Sequence, residues 1–290
     1  MSTNTVNPPV LVGADGSADS VVAVRWAAVD AARHGAPLHI VYAIGAPVDY
    51  GPGIAFNQID YDVYREAGAA SVALARKTAV AVSDSIHPLD IETFVVEAPP
   101  IPVLCDRSKE ARLLVVGTRG LGAFRRGLLG SVSTALARHA HCPVAVIPET
   151  VAPERALGPV VVGVDGSPGG IRALDVAFDE ASRRRAALVA VHTWSEFNRY
   201  IPRTDMANDA EELLAESLAG YTEKYPDVRV QRVVAEDRPA KRILAAAERA
   251  QLIVVGSHGN GGFAGMTLGS TSQAVLHAAD CPVIIARPRD

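Results

Sequence analysis

The sequence is poor in cysteine and lacks a long apolar run. Its three cysteines, Cys105, Cys142 and Cys281, form no Cys-x-x-Cys pair and are odd in number, which argues against a disulfide framework and against a zinc ribbon. We expect all three to be small core residues. No apolar segment approaches the roughly 18 residues of a membrane span, so the sequence predicts a soluble protein with no membrane partner.

A secretory signal and a basic excess are also missing. The first residues, "MSTNTVNPPV", lack the basic and apolar regions of a signal peptide, so we predict a cytoplasmic protein. Residues 1–150 hold 12 Lys+Arg against 14 Asp+Glu and residues 151–290 hold 16 against 18, which gives −2 for each half. Because nucleic-acid recognition normally leaves a basic excess, neither half is predicted to bind nucleic acid.

The chain contains a long internal repeat. The stretch "VLVGADGS" at 10–17 returns as "VVVGVDGS" at 160–167, and "LLVVG" at 113–117 returns as "LIVVG" at 252–256. Two domains are also the default for 290 residues. We predict a first domain over 1–148, a linker over 149–158, where prolines discourage regular structure, and a second domain over 159–290.

Within each half, short Val/Ile-rich runs alternate with longer Ala-rich segments, which is typical of βαβ units. In the first half this pattern predicts strands near 9–14, 38–43, 91–96, 112–116 and 143–147, with helices near 18–34, 58–84, 100–109 and 131–140. Ser17 and Ser167 stand where a helix N-cap is expected. The apolar runs do not alternate with polar residues, as expected of parallel strands covered on both faces. The fold class is therefore α/β, with two tandem doubly wound, Rossmann-like domains.

Two glycine-rich loops share one spacing. They read "GTRGLGAFRRGLLGS" at 117–131 and "GSHGNGGFAGMTLGS" at 256–270. Ligands of open α/β sheets bind beyond the carboxyl ends of the strands, where both loops fall. Glycine lets backbone N–H groups approach an anion and permits positive φ, and the following helix start offers unpaired donors. The loops therefore predict phosphate sites, which a Gly117→Ala substitution should weaken.

Charged residues near the loops extend this prediction. Arg119, Arg125 and Arg126 can add charge-assisted contacts to phosphate, whereas the second loop carries only His258. We therefore expect ligand binding to depend on salt in the first site and on pH near neutrality in the second. An ionised Asp15 or Asp165 can only accept hydrogen bonds, which suits a ribose hydroxyl or a base N–H. One phosphate pocket facing one acceptor indicates a nucleotide.

The pattern G-x2-G-x9-G-S, with an aspartate after the first strand, resembles the ATP-binding class of the universal stress protein family. The resemblance implies a five-stranded parallel sheet of order 3-2-1-4-5 in each domain and ATP, with or without Mg²⁺, between strands one and four. It also implies pairing of the domains through their fifth strands and adenine contacts near Val41 and Val191. The residues marked for nucleotide binding are Gly13, Asp15, Val41, Gly117, Arg119, Gly120, Gly130, Ser131, Val132 and Ser133 in the first domain, and Gly163, Asp165, Val191, Gly256, His258, Gly259, Gly269, Ser270, Thr271 and Ser272 in the second.

Competing motifs are weaker. The sequence has no G-x4-G-K-[ST] loop and no G-x-S-x-G elbow. The stretch "GNGGFA" at 259–264 lacks the acidic residue of a dinucleotide fingerprint. In "RHAHC" at 138–142, His139 and His141 do not share a helix face, which disfavours a metal site. Three simpler interpretations stay open: glycine turns without a ligand, aspartates that only cap the next helix, and a solvent-facing His258.

Binding is favoured over catalysis. Phosphoryl transfer needs a metal clamp and a residue that orients the nucleophile, whereas each site offers a single candidate carboxylate. We therefore predict a nucleotide-dependent regulatory or signalling module with no catalytic residues, and keep a slow ATPase or phosphoryl-transfer enzyme as the alternative. We also predict a homodimer, because twofold assembly is the commonest and the apolar last strands supply edges that need covering.

Overall fold

The computed structural model describes residues 7–45, 61–120, 129–149, 152–195, 202–259 and 268–287. The first half contains β1 (Val10–Gly13), α1 (Ala18–His34), β2 (Leu38–Ala43), α2 (Tyr61–Ser83), β3 (Ile91–Val96), α3 (Pro100–Arg107), β4 (Leu113–Gly117), α4 (Ser131–His139) and β5 (Val144–Ile147). Every strand and helix predicted for this half is present, with bounds that agree within a few residues.

The second half repeats this order after a short 3-10 helix, Pro153–Leu157. It contains β6 (Val160–Gly163), α5 (Pro168–Arg184), β7 (Leu188–Trp194), α6 (Arg203–Leu218), α7 (Tyr221–Lys224), β8 (Val230–Glu236), α8 (Pro239–Ala246), β9 (Leu252–Gly256), α9 (Ser270–Ala278) and β10 (Val283–Ala286). The prolines of the segment between the halves had suggested an irregular linker, but part of the segment forms this 3-10 helix. Arg155 in the 3-10 helix donates from Nη1 to the Ala247 carbonyl at 3.0 Å, which ties the segment to the second half.

All these strands form one sheet of order β3-β2-β1-β4-β5-β10-β9-β6-β7-β8. Strands are parallel within each half, so the predicted order 3-2-1-4-5 is confirmed in both. The halves join where β5 and β10 pair antiparallel, with Ala145 opposite Ile284. Pairing through the fifth strands is therefore present within the chain.

This pairing changes the argument for a homodimer. The apolar edges of β5 and β10 cover each other, so they are not free for a second chain, and the outer strands of the sheet are β3 and β8. The homodimer stays a prediction, and it must use another surface. Light scattering at micromolar concentration should give the mass of two chains; the mass of one chain would contradict it.

Side chains along each strand point alternately to the two faces of the sheet, and helices cover both faces. Val10 and Val12 of β1 point into a core with Ala23 and Ala27 of α1, all at most 1% exposed. Leu11 points to the opposite face, where α3 and α4 pack. Small alanines let α1 lie close to the sheet. Of the cysteines, Cys142 and Cys281 are buried as predicted and Cys105 is half-buried. Among the described residues, no helix is both long and apolar enough to cross a membrane.

Both α1 and α5 begin at the serines that the sequence predicts as N-caps. The Ser17 hydroxyl accepts the Ser20 N–H at 3.2 Å, and the Ser167 hydroxyl accepts the Gly170 N–H at 3.0 Å. Both serines therefore act as the predicted N-caps. Gly35 ends α1 at φ 60°, where glycine is favoured, whereas Arg185 takes that place after α5 at φ 52°.

Near their C-terminal ends, α1 and α5 share a buried group of charges, here called the interdomain ionic cluster: Asp30, His34, Glu180 and Arg184. Arg184 donates to Asp30 Oδ1 at 3.1 Å and to Glu180 Oε2 at 2.8 Å. The His34 ring lies 2.8 Å from the Asp30 carbonyl through Nδ1 and 3.2 Å from Asp179 Oδ2 through Nε2. Each half thus contributes one acidic and one basic residue, four positions apart. Residues of one half contact residues of the other, as Arg184 does with Asp30.

The cluster shifts the pKa of its members. Burial alone would lower the pKa of His34, but hydrogen bonds to Asp179 and Asp30 and the charges of Asp30 and Glu180 raise it to about 10. Burial would raise the pKa of Asp30, but the hydrogen bond and charge of His34 and the charge of Arg184 lower it to about 2. For Glu180, burial and the Asp30 charge raise the pKa to about 7.

Candidate functional site

Each half has a crevice at the carboxyl ends of its strands. The first crevice, between β1 and β4, has a volume of about 410 Å³, and the second, between β6 and β9, has about 620 Å³. The structure brings the two sets of marked residues to these crevices, ten to each. The first is lined by Gly13, Asp15, Val41, Gly117, Arg119, Gly120, Gly130, Ser131, Val132 and Ser133. The second is lined by Gly163, Asp165, Val191, Gly256, His258, Gly259, Gly269, Ser270, Thr271 and Ser272.

Sequence reasoning missed part of the apolar wall. Leu104 from α3 closes the first crevice and Ile243 from α8 closes the second. The two residues are 139 positions apart, the same offset that separates Gly117 from Gly256. This offset could have identified the two residues as equivalent wall positions from the sequence, although the glycine-loop motif marks only the loops and the strand ends. Other wall residues that the motif did not mark are Ala14, Ser20, Tyr42, Ala43, Pro100 and Val116, and Val164, Gly170, Thr193, Ser195, Pro239 and Val255.

The aspartates brace the helix that follows them. Asp15 Oδ1 accepts the Ser17 N–H at 3.0 Å and the Ser17 hydroxyl at 2.6 Å. Asp165 Oδ1 accepts the same two donors of Ser167 at 3.1 and 2.6 Å. The serines are the caps, so the interpretation that the aspartates themselves cap the helices is wrong. The aspartates hold the caps in place with one oxygen and turn the other towards the glycine loop.

Gly120 and Gly259 are required because their backbones lie very close to the aspartates. A Cβ added at Gly120 would collide with Asp15 Oδ2, and one at Gly259 would collide with Asp165 Oδ2. Each loop therefore lies directly against its aspartate, which places a carboxylate oxygen beside bare backbone. No side chain larger than hydrogen fits there without displacing the carboxylate.

Neither Gly117 nor Gly120 uses the freedom of glycine to adopt positive φ. The positive φ values near the first site belong instead to Gly16, at 82°, in the turn before α1, and those near the second to Gly166, at 73°. Gly117 is needed because a Cβ there would lie 3.0 Å from Asp19 Cβ and 3.1 Å from its backbone. A Gly117→Ala substitution would thus strain the contact between β4 and α1, so Gly120 is the cleaner position for testing the loop.

The helix after each loop starts without a side-chain cap. Gly130 precedes α4 and Gly269 precedes α9, and neither supplies a capping oxygen. The first-turn N–H groups of these helices therefore face the crevices as donors with partial positive charge. The Gly130 N–H closes the loop on the Thr118 carbonyl at 2.7 Å, and the Gly269 N–H closes the other on the Ser257 carbonyl at 2.7 Å. Each crevice therefore ends at a fixed group of N–H donors, the kind of arrangement that can bind an anion.

Two of the marked serines have structural hydrogen bonds. The Ser133 hydroxyl donates to the Thr118 carbonyl at 3.0 Å, and the Ser272 hydroxyl donates to the Gly256 carbonyl at 2.5 Å. These bonds tie the helices to the loops. Both hydroxyls line the crevices, but their protons serve the loop rather than a ligand.

Val41 and Val191 form part of the wall. The Val41 carbonyl accepts the Ala14 N–H at 2.9 Å, and the Val191 carbonyl accepts the Val164 N–H at 2.9 Å. These carbonyls therefore already take part in the sheet. Both valines are at most 2% exposed and contribute to the apolar walls of the crevices.

The charged residues of the loops differ between the crevices. Arg119 Nη2 lies 2.9 Å from Glu149 Oε2, and its Nε lies 3.8 Å from Asp19 Oδ2. His258 lines the second crevice with Nδ1 3.1 Å from the Ser257 hydroxyl oxygen. Arg125 and Arg126 lie outside the described residues. The predicted difference in salt and pH dependence remains a prediction.

A group of potential metal ligands lies away from the crevices. Asp30, His34 and Glu180 carry ligand atoms within 4.8 Å of one another. The guanidinium of Arg184 already contacts both acids. A metal ion would need to displace that cation, so we treat these residues as an ionic cluster and assign no metal to them.

Comparisons with known proteins agree with this architecture. The model of the universal stress protein family matches residues 7–148 and 157–287. Universal stress proteins of Mycobacterium bovis and Mycobacterium tuberculosis are each 47% identical over 285 residues, covering 96% of this chain and 96% of the relative. Another from Mycobacterium tuberculosis is 42% identical over 315 residues, covering 100% of this chain and 98% of the relative. The crystal structure of a universal stress protein from Archaeoglobus fulgidus superposes with a TM-score of 0.71 at 23% identity, covering 98% of this chain and 97% of that chain. The chain therefore belongs to the universal stress protein family and consists of two tandem domains of that family.

Proposed function

We propose that the protein binds ATP in each of its two crevices and acts as a nucleotide-dependent regulatory or signalling module in the stress response. The observation that carries the proposal is the repeated geometry. In both halves, one aspartate, one bare glycine loop and one uncapped helix start meet at the carboxyl ends of the strands. Tight turns alone do not require an aspartate and an uncapped helix start beside the glycine loop.

The shape and chemistry of the crevices suit a nucleotide. Volumes of about 410 and 620 Å³ lie within the range of roughly 300–1,000 Å³ typical of small-molecule sites. Val41 and Leu104 offer an apolar wall for a base, while the loop and the start of α4 offer N–H donors for phosphates. Between these ends, Asp15 supplies an acceptor for a hydroxyl or a base N–H.

The same geometry favours binding over turnover. Among the described residues that line the crevices, each crevice brings in one aspartate, and that aspartate already accepts two hydrogen bonds from a serine. Phosphoryl transfer asks for a metal clamp and a residue that orients the nucleophile. If Mg²⁺ accompanies ATP, the phosphates supply most of its ligands, and Asp15 or Asp165 is the carboxylate available in each crevice.

Calorimetry tests the proposal with two reciprocal variants. The chain should bind two ATP molecules. Gly120→Ala should weaken only the first site and Gly259→Ala only the second, because each new methyl displaces the aspartate beside it. A clash of this kind costs about 1–3 kcal/mol, so we expect a loss of about tenfold in affinity at the affected site.

Each variant is the control for the other, since both add one methyl to equivalent loops. Release of ADP should be followed in the same samples. A folded chain that binds no ATP would refute the proposal, and rapid ADP release would favour the enzyme instead.

A further inference from the structure

The two crevices differ most at their phosphate ends. At equivalent positions of the repeat, Arg119 of the first half is replaced by His258, and Asp19 is replaced by Gly169. Glu149 corresponds to Pro288, which lies outside the described residues. Arg119 of the first crevice thus has two acidic neighbours. At the described positions equivalent to Arg119 and Asp19, the second half has a histidine and a glycine instead.

Arg119 is held between those two acids. Its Nη2 lies 2.9 Å from Glu149 Oε2, and its Nε lies 3.8 Å from Asp19 Oδ2. Its side chain is 25% exposed and lines the crevice. A phosphate group that enters this end therefore meets a guanidinium that is already neutralised by side chains of the same chain.

The two acids are not equally displaceable. Asp19 Oδ2 also accepts the Thr118 hydroxyl at 3.0 Å and the Arg119 backbone N–H at 3.1 Å, and its side chain is 10% exposed. Those neutral donors fix it to the loop. Glu149 lies two residues after the end of β5, its side chain is 50% exposed, and it contacts Arg119 through the guanidinium. An exposed ion pair is worth about 0.2–1 kcal/mol, so an incoming phosphate can replace it.

We propose that Glu149 is an internal competitor for Arg119 and sets the affinity of the first crevice for the phosphate chain of its nucleotide. This inference rests on the proposed function. Phosphate gains the bidentate guanidinium contact only by displacing the Glu149 carboxylate. A nucleoside without phosphates gains nothing from that displacement. In the second half, the positions equivalent to Arg119 and Glu149 hold His258 and Pro288, so they carry no such competing pair.

The test uses a chain whose second crevice is disabled by Asp165→Ala. In this parent chain, Glu149→Gln removes the competing charge and keeps the size of the side chain. We expect ATP to bind about two- to fivefold more tightly at low salt, as loss of an exposed ion pair implies. Adenosine affinity should not change, because adenosine carries no phosphate that could displace Glu149 from Arg119. Both affinities are measured by calorimetry.

Two further variants show whether Glu149 acts through Arg119. In an Arg119→Gln background, Glu149→Gln should no longer raise the affinity for ATP, because the guanidinium for which Glu149 and phosphate compete is absent. Glu92→Gln is the matched control: it removes one carboxylate near the amino end of β3, where Glu92 lies 4.0 Å from His39, far from the crevice mouth. Its ATP affinity should equal that of the parent chain.

Several outcomes would overturn the inference. ATP affinity unchanged by Glu149→Gln would show that the ion pair does not compete with phosphate. A gain that persists without Arg119 would show a general effect of charge. In both cases ATP still binds, and the proposed function stands. No ATP binding by the intact chain at either crevice would remove the proposed function, and this inference with it.

Discussion

Replacing Arg184 with methionine is expected to destabilise the chain by about 3–5 kcal/mol, the cost of removing one partner from a buried ion pair. Arg184 is 5% exposed and contacts Asp30 Oδ1 at 3.1 Å and Glu180 Oε2 at 2.8 Å. Its loss leaves two buried carboxylates with His34 as the cation beside both. The free energy of unfolding, obtained from urea titrations at pH 7, measures the effect.

Arg183→Met is the matched control on the same helix. Arg183 is 52% exposed, and its Nε lies 3.8 Å from Asp179 Oδ1. We expect its loss to change the free energy of unfolding by no more than about 0.5 kcal/mol. Asp30→Asn in the Arg184→Met background should recover part of the lost stability, because it removes one uncompensated charge. Equal losses for Arg183→Met and Arg184→Met would show that the cluster does not join the two halves.

The position of this cluster also explains why the sequence did not reveal it. Asp30 with His34 and Glu180 with Arg184 are spaced four residues apart, a pattern that normally indicates the solvated face of a helix. Burial arises only because β5 pairs with β10 and brings α1 against α5. The offset of 150 between Asp30 and Glu180, and between His34 and Arg184, was visible in the repeat. Nothing local to either helix indicates that the two pairs meet.

The crevices were more predictable because their residues belong to local motifs. The strand pattern placed Asp15 and Gly117 at one edge of the sheet, since parallel strands align their carboxyl ends. The reason for each glycine was not predictable. Close approach of Gly120 to Asp15, and of Gly117 to Asp19, depends on how α1 and the loop pack in three dimensions. Sequence spacing identifies such positions without saying what they contact.

The second large effect expected of the interdomain ionic cluster is a loss of stability as the pH rises above neutrality. The pKa of His34 is raised from 6.5 to about 10 in the folded chain. Its contribution to stability is therefore fully present below pH 6.5 and lost as the pH rises towards 10. At about 1.4 kcal/mol for each pKa unit, the complete loss is on the order of 4–5 kcal/mol. Neutral His34 can donate to the Asp30 carbonyl or to Asp179, but not to both.

Between pH 7 and pH 9, the change in stability among the shifted groups is dominated by His34. The pKa of Glu180 is raised from 4.5 to about 7, so its contribution is fully present below pH 4.5, declines through pH 7 and is nearly lost by about pH 8. The pKa of Asp30 is lowered to about 2, so its contribution declines only at acid pH. The pKa of the Cys281 thiol is raised by burial from 9.0 to about 11, so its effect begins above pH 9. Urea titrations at pH 7, 8 and 9 should therefore show stability falling by about 1 kcal/mol or more per pH unit.

A pair of histidine variants tests this assignment. His34→Gln should lower stability at pH 7 and remove most of the decline up to pH 9, because the titrating imidazole is gone. His277→Gln, which removes an exposed imidazole from α9, should keep the decline of the parent chain. If the decline between pH 7 and pH 9 is as steep in His34→Gln as in His277→Gln, another group titrates in this interval. In that case His34 is not the cation that balances Asp30 and Glu180 between the two halves.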